Sequence, residues 1–203
     1  RAMKDFIVIT LGTGLGSGIV ANGQLIYGAD GFAGEIGHTI VDPDGRECGC
    51  GRKGCLEAYA SANGLRRTVH ELIAISLDES ELRGVAFNDL TSKMVAEAAA
   101  RGDHLALEAF DRTARILGFK LADSVAHTSP EAIILVGGLA AAGDLLLKPV
   151  KRYLESYLLN VFKNKVAVLP TGLPDGNAAV LGASALSWHE LNKPPRLKKL
   201  AVA

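Results

Sequence analysis

The chain has 203 residues, 48% of them hydrophobic, with 22 basic side chains against 22 acidic ones, which is enough for one domain with a sizeable core or a domain plus an appendage. A formal charge of zero gives no electrostatic reason to expect nucleic acid or an anionic membrane as a partner. No apolar run reaches the length of a membrane span and the first residues lack the charged-then-apolar pattern of a secretory signal, which points to the cytoplasm.

Arg1 to Asp5 runs straight into Phe6-Ile7-Val8-Ile9-Thr10-Leu11, a strand apolar enough to be buried on both faces. So abrupt an opening reads as a cut at a domain boundary. Gly12-Thr13-Gly14-Leu15-Gly16-Ser17-Gly18 follows, then Asn22-Gly23 supplies the two positive-φ residues of a tight hairpin, with Gln24 to Tyr27 as the returning strand. From Gly28 to Gly54 the composition turns to Gly, Asp and Cys with little periodicity. So long an irregular segment inside a compact domain is usually functional.

Helical patterning starts near Leu56, with Ser61 or Asn63 as caps, and reaches about Ile75. A second helix runs from Asn88-Asp89 through Ala100 and a third from Asp103 to about His127, where Leu107, Phe110, Ala114, Leu117, Leu121 and Val125 form one apolar stripe. Ala132 to Val136 is a short buried strand ending in Gly137-Gly138; a helix over Leu145 to Leu159, a strand over Val166 to Leu169 and a last helix over Asn177 to Leu191 follow. Residues 192–203 read as a loosely held tail. Strands alternating with helices after an opening hairpin imply an α/β domain on a mixed sheet.

Glycines at 12, 14, 16 and 18 directly after a buried strand let the backbone approach something bulky and leave N–H groups to point at it, phosphate being the usual guest. There is no Gly-Lys-Ser/Thr, and Asn22-Gly23 closes a hairpin where a dinucleotide loop opens a helix. Thr10 and Thr13 add hydroxyl donors. By itself the segment is equally a ligand-free glycine turn, and Gly137-Gly138 by itself a plain strand-to-helix turn, although α/β proteins place ligands at such turns.

Cys48, Cys50 and Cys55 fall within eight residues. An odd number of clustered thiols without a secretory signal suits a metal better than a disulfide framework. Zinc prefers four ligands, and His38 is the nearest suitable fourth; His70, His104, His127 and His189 lie far along the chain on expected helices. A closed Cys₃His set makes the metal structural, fixing a loop that few apolar residues stabilise. Pinning His38 and Cys55 to one ion also brings Glu35 and Glu57 near one place, where paired carboxylates suit the adjacent hydroxyls of a sugar. The nitrogen of His38 that is not on zinc could donate or accept at the same ligand, so the metal would also orient a recognition residue. Without zinc, Glu57 reads as a favourable charge in a first helical turn.

Leu11-Gly-Thr-Gly14-Leu-Gly16-Ser-Gly18-Ile19, eight residues, Gly28, then Gly34-Glu35-Ile36-Gly37-His38 resembles the signature of the ROK family (repressor, open reading frame, kinase). His38, Cys48-Gly-Cys50-Gly-Arg-Lys-Gly-Cys55-Leu-Glu57 is similar to its zinc motif, and the resemblance runs from Phe6 through the last helix. It implies an actin-like ATPase (ribonuclease H-like) fold with a mixed sheet, flanking helices and a zinc-binding loop. It also implies transfer of the γ-phosphoryl group of MgATP to a hexose, glucose first among the candidates.

The resemblance assigns sugar contacts to Glu35, His38 and Glu57, zinc to His38, Cys48, Cys50 and Cys55, the ATP phosphates to Thr10, Gly12, Thr13 and Gly14, and the adenosine to Gly137 and Gly138. It places the family's catalytic aspartate, in an Asn-Asp pair, and an Asp-x-Gly-Gly phosphate motif before the strand matching Phe6 to Leu11. This chain would then hold no catalytic base, and Asn88-Asp89 would be a helix cap. The chain divides into a large C-terminal lobe over 6–176 with its zinc knuckle at 34–57, a final helix over 177–191 that packs on a missing N-terminal lobe, and the tail. ATP, hexose and a second copy of the chain are the expected partners, with neither membrane nor nucleic acid. The alternatives are the sugar-sensing domain of a ROK repressor, or a zinc-stabilised structural domain without a ligand; the intact glycine loop favours the kinase.

Overall fold

The computed structural model describes residues 3–173 and 178–192, and the chain divides into two units, 1–171 and 172–203. In the first unit β1 (Phe6–Leu11) is the central strand of a five-stranded sheet. On one side β2 (Leu15–Ala21) returns antiparallel and β3 (Gln24–Leu25) continues the meander; on the other β4 (Ala132–Val136) and β5 (Ala167–Pro170) run parallel to β1 and to each other in register. The sheet is mixed, as expected, in the order β3-β2-β1-β4-β5. Asn22 (φ 52°) and Gly23 (φ 73°) make the tight turn between β2 and β3, the positive-φ pair that matches strand twist.

The burial of β1 differs from expectation. Ile7, Ile9 and Leu11 are fully buried, Phe6 and Val8 are half-buried, and Thr10 is exposed. Every second residue enters the core, so within the described residues only one face of this strand is fully covered.

Helix α1 (Ala62–Ile75) starts at Ser61, whose hydroxyl accepts from the Gly64 N–H at 3.0 Å. The helix expected from Leu56 is instead broken into a 3₁₀ turn, Leu56–Ala58, and α1, because Ser61 adopts the extended conformation of an N-cap. Helix α2 (Ser92–Ala100) is capped by Thr91, which accepts from Met94 N–H at 3.2 Å. Asn88-Asp89, expected to open that helix, lies in an exposed turn before it, and buried Leu90 separates the turn from the true cap.

Helix α3 (His104–Thr128) begins at Asp103 as expected, the carboxylate accepting from Ala106 N–H at 3.0 Å. Its buried face takes Phe110, Ala114, Leu117, Leu121 and Val125, while Leu107 stays 39% exposed and Leu105, Ala106 and Ala109 fill the start of the stripe. Helix α4 (Asp144–Tyr157) packs along α3. One core holds Ile7, Ile9, Ile133, Leu135, Phe110 and Val150.

In the second unit, α5 (Ala178–Leu191) has no buried residue, with Val180, Leu181 and Trp188 among its exposed apolar side chains. The expected cap at Asn177 and most of the expected tail lie outside the described residues. Among the described residues no helix is long and apolar enough to cross a membrane.

Gly137 joins β4 to β1 at their C-terminal ends. Its φ is 103°, and a Cβ there would lie 2.6 Å from the Leu11 carbonyl oxygen and 2.9 Å from its carbon. Both neighbours are backbone and neither can turn aside. Gly137→Ala should therefore destabilise the domain by about 3 kcal/mol, combining the positive-φ penalty with overpacking. The expected result is a lower urea midpoint at unchanged slope.

Candidate functional site

The segment from 28 to 54 has few side chains to bury, with Ile36 and Cys48 its buried apolar ones. Short backbone bonds fold it instead. Cys48 N–H donates to the Arg52 carbonyl at 2.8 Å and Gly51 N–H to the Cys48 carbonyl at 3.0 Å, a tight knuckle. Isolated bridges Ile40↔Cys55 and Glu47↔Lys53 tie its ends together.

The knuckle brings the ligand atoms of His38, Cys48, Cys50 and Cys55 within 4.8 Å of one another. The sulfurs of Cys50 and Cys55 are 3.6 Å apart, and Nδ1 of His38 is 3.7 Å from the Cys48 sulfur. Tetrahedral zinc with bonds of about 2.3 Å to sulfur needs sulfurs about 3.8 Å apart. No disulfide links the three cysteines. Donor type, number and spacing all fit zinc, and among the described residues none of the other four histidines joins the group.

The thiols differ in their ease of ionisation. The backbone N–H of Arg52, with its guanidinium, lowers the exposed Cys50 to about 6, whereas burial pushes Cys55 up to about 12. Arg52 also donates to the His38 carbonyl at 2.7 Å, placing a cation beside a group of donors that turns anionic once the thiols ionise.

The expected sugar-contacting residues come together around this cluster. His38 ends a 3₁₀ turn, Ile36–His38, directing Nδ1 to Cys48 while Nε2 stands 3.9 Å from Oε2 of Glu35. Glu57 sits in the neighbouring 3₁₀ turn, held by the Leu56 N–H donating to the Thr39 carbonyl at 2.9 Å. Its Oε2 accepts from the Leu15 N–H at 2.8 Å and its Oε1 lies 3.8 Å from the Cys48 sulfur. A cleft of about 300 Å³ opens here, lined by Thr13, Gly14, Cys48, Glu57, Asn63 and Arg67 among others. Glu35 is 63% exposed; paired carboxylates and an imidazole open to solvent can accept and donate to a polyhydroxylated ligand.

Gly12, Thr13 and Gly14 form the turn between β1 and β2, and Thr10 is the exposed β1 residue two positions before it. Three of its amides are engaged within the structure: Gly12 N–H on the Gly14 carbonyl at 3.0 Å, Leu15 N–H on Glu57, and Gly16 N–H on Thr10 Oγ1 at 3.2 Å. Only the N–H groups of Thr13 and Gly14 remain unpaired among the described residues, fewer than alternating glycines suggest. The register of β1 with β4 ends at Thr10↔Val136, so Gly12 and Gly137-Gly138 follow the carboxyl ends of adjacent parallel strands. Leu139 N–H on the Leu11 carbonyl at 3.1 Å closes that junction. Crevices at carboxyl strand ends are where α/β folds hold ligands.

Sequence reasoning missed three contributors. Ser17 accepts from Ile36 N–H at 3.2 Å and donates to the Gly34 carbonyl, joining β2 to the Glu35 turn. Arg46 and Arg52 brace the knuckle from either side. Ser17 and Arg52 carried a signal, their places inside the glycine signature and the cysteine motif; Arg46 carried none.

A family model described as ROK family matches residues 1–190. A glucokinase of Halalkalibacterium halodurans is 45% identical over 163 residues, 77% of this chain and 48% of that protein. The DNA-binding transcriptional dual regulator NagC of Escherichia coli is 32% identical over 183 residues, 90% of this chain and 44% of its own length. The crystal structure of a ROK family glucokinase from Streptomyces griseus in complex with glucose and AMPPNP shares 36% identity at a TM-score of 0.78, covering 92% of this chain and 61% of that one. The chain spans about half the length of the curated relatives it matches.

Proposed function

The chain belongs to the ROK family, and we propose that it supplies the sugar, zinc and nucleotide contacts of a cytoplasmic, ATP-dependent hexose kinase, with glucose as the first candidate. The observation that carries this reading is the Leu15 N–H bond to Glu57 at 2.8 Å. It joins the glycine turn to the carboxylate beside the Cys₃His cluster, and Thr13, Gly14 and Glu57 line one cleft.

On this reading Glu35, His38 and Glu57 bind adjacent sugar hydroxyls, and their fixed spacing orients one hydroxyl toward the glycine turn. The unpaired N–H groups of Thr13 and Gly14, with the Thr10 and Thr13 hydroxyls, donate to the phosphates of MgATP; Gly137 and Gly138 border the adenosine, with open space at the Cβ position of Gly138. Zinc on His38, Cys48, Cys50 and Cys55 supplies fixed geometry, with no open position for chemistry. The sugar oxygen forms a bond to the γ-phosphorus as the bond to ADP breaks, and the hydroxyl proton passes to an acceptor. As the family resemblance implies, we assign the acceptor to an aspartate of an Asn-Asp pair placed before the strand that matches Phe6 to Leu11; Asn88-Asp89, in an exposed turn ahead of α2, is not at that place. Phosphoryl transfer needs both sides of the nucleotide held. The 203-residue chain alone should therefore bind zinc yet show no hexose-dependent ATP consumption in a coupled ADP assay, and steady turnover by it would refute this division of labour. The exposed apolar side chains of α5 would pack on that further lobe, and a homodimer is the proposed assembly.

The sugar-sensing domain of a repressor is the second reading, favoured by the 32% identity to NagC. Assaying the protein at its native length against glucose, fructose, N-acetylglucosamine and N-acetylmannosamine separates the two. ADP formation with one sugar supports the kinase. DNA binding released by sugar, without ADP formation, replaces it with the repressor.

A further inference from the structure

Arg46 stands two residues before the first cysteine of the knuckle. Its side chain is only 13% exposed, and all five of its N–H donors are engaged. Nε donates to Oε1 of Glu71 at 2.9 Å, and Nη2 to Oε2 of the same carboxylate and to Thr68 Oγ1 at 2.9 Å. Nη1 donates to two main-chain carbonyls, Ala58 at 3.0 Å and Gly64 at 3.1 Å. The guanidinium lies 4.5 Å from the centroid of the Tyr59 ring, and the Tyr59 hydroxyl accepts from the Arg46 backbone N–H at 2.8 Å. The Arg46 carbonyl in turn accepts from the N–H of Gly54, the residue before Cys55, at 2.8 Å.

An exposed ion pair needs one carboxylate and tolerates wandering. A largely buried guanidinium whose rigid fork is filled from two carbonyls, a hydroxyl and a carboxylate tolerates little, because moving any acceptor leaves a desolvated donor unpaired. The acceptors lie on two elements, the 3₁₀ turn that carries Glu57 and the first turns of α1, while the cation itself belongs to the metal knuckle. With every donor used, Arg46 has none left for a ligand.

We propose that Arg46 is a positioning residue for the sugar site: it locks the turn bearing Glu57 to the knuckle bearing the metal ligands, and so sets the distance between the Glu57 carboxylate and His38. The inference rests on the sugar-binding reading above. Lysine keeps the charge, but its single ammonium cannot reach Glu71 and both carbonyls together.

The test is Arg46→Lys in the zinc-loaded protein at its native length, reading zinc content, melting temperature, hexose KM, ATP KM and kcat. Outer-shell partners of metal sites typically alter affinity or activity about 10- to 100-fold. The expected result is zinc retained, hexose KM raised about tenfold and ATP KM within about twofold of wild type. A lower melting temperature with unchanged hexose KM shows a purely structural role and overturns the proposal. If Arg46→Lys does not fold, Glu71→Gln releases one side of the fork. A hexose KM raised about threefold with zinc retained supports the lock, and an unchanged KM overturns it. Wild-type protein that binds no hexose defeats the functional reading itself, whereas normal hexose binding with an indifferent Arg46→Lys defeats only this inference.

Discussion

On the proposed function, replacing Cys55 with alanine should abolish zinc uptake and hexose binding in the same step, while most of the fold remains. Cys55 is fully buried and is both one of the four residues that fit zinc and the residue that bridges to Ile40. The segment from 28 to 54 has only Ile36 and Cys48 as buried apolar side chains, so hydrophobic burial cannot hold it once a ligand is lost. Zinc contributes about 10–16 kcal/mol to the folding of small zinc-dependent peptides, comparable to the whole stability of a typical domain. Of the buried residues in the core around Ile7, Ile133 and Phe110, only Ile36 comes from the 28–54 segment, which should confine most of the loss to the loop. Metal analysis should fall from one zinc per chain to none, far-UV dichroism should change little, and hexose affinity should drop about 100-fold or more. Hexose binding preserved in a zinc-free variant would separate metal from sugar and refute the coupling. Chelation of the wild type should reproduce the effect.

Gly14→Ala should cost hexose binding without unfolding the protein. A Cβ at Gly14 would lie 2.3 Å from Oε2 of Glu57 and 3.1 Å from its Cδ. The obstacle is the end of a flexible side chain, so the backbone survives, but the carboxylate must leave the Leu15 N–H it binds at 2.8 Å. Losing a hydrogen bond to a charged group costs about 1.5–3 kcal/mol, or roughly 10- to 100-fold in affinity. The expected result is a hexose KM raised by about that factor with a melting temperature lowered by about 3–12 °C and the protein still folded. Gly12→Ala is the control. Nothing lies within 4 Å of a Cβ there, so hexose KM should stay put. Equal effects of the two substitutions would show that Gly14 acts through loop flexibility, not through Glu57.

The metal set was legible from the sequence because its signal is short-range. Three thiols on one knuckle with a histidine ten residues upstream leave little freedom, and the donors stand at zinc separations as expected. The same holds for the Asn22-Gly23 turn, the Asp103 cap and the mixed sheet. Where local signals competed, the sequence was less decisive. Asn88-Asp89 and Thr91 are all good caps, and buried Leu90 rather than intrinsic preference selected Thr91. Leu107 fits the period of the α3 stripe, yet it lies at the edge of the packed face and stays exposed.

By itself, then, the sequence determined most of the element types, the Cys₃His set that fits zinc and the residues that gather around it, since each follows from spacing within a few turns of chain. Only the tertiary structure decided how those pieces act together: that Glu57 reaches back 42 residues to Leu15, that Gly14 is small to make room for that carboxylate, and that Arg46 closes the joint between knuckle and helix. Side-chain periodicity carries no information about which distant backbone atom will face a given donor. That is fixed by packing, which settles the position of every group at once.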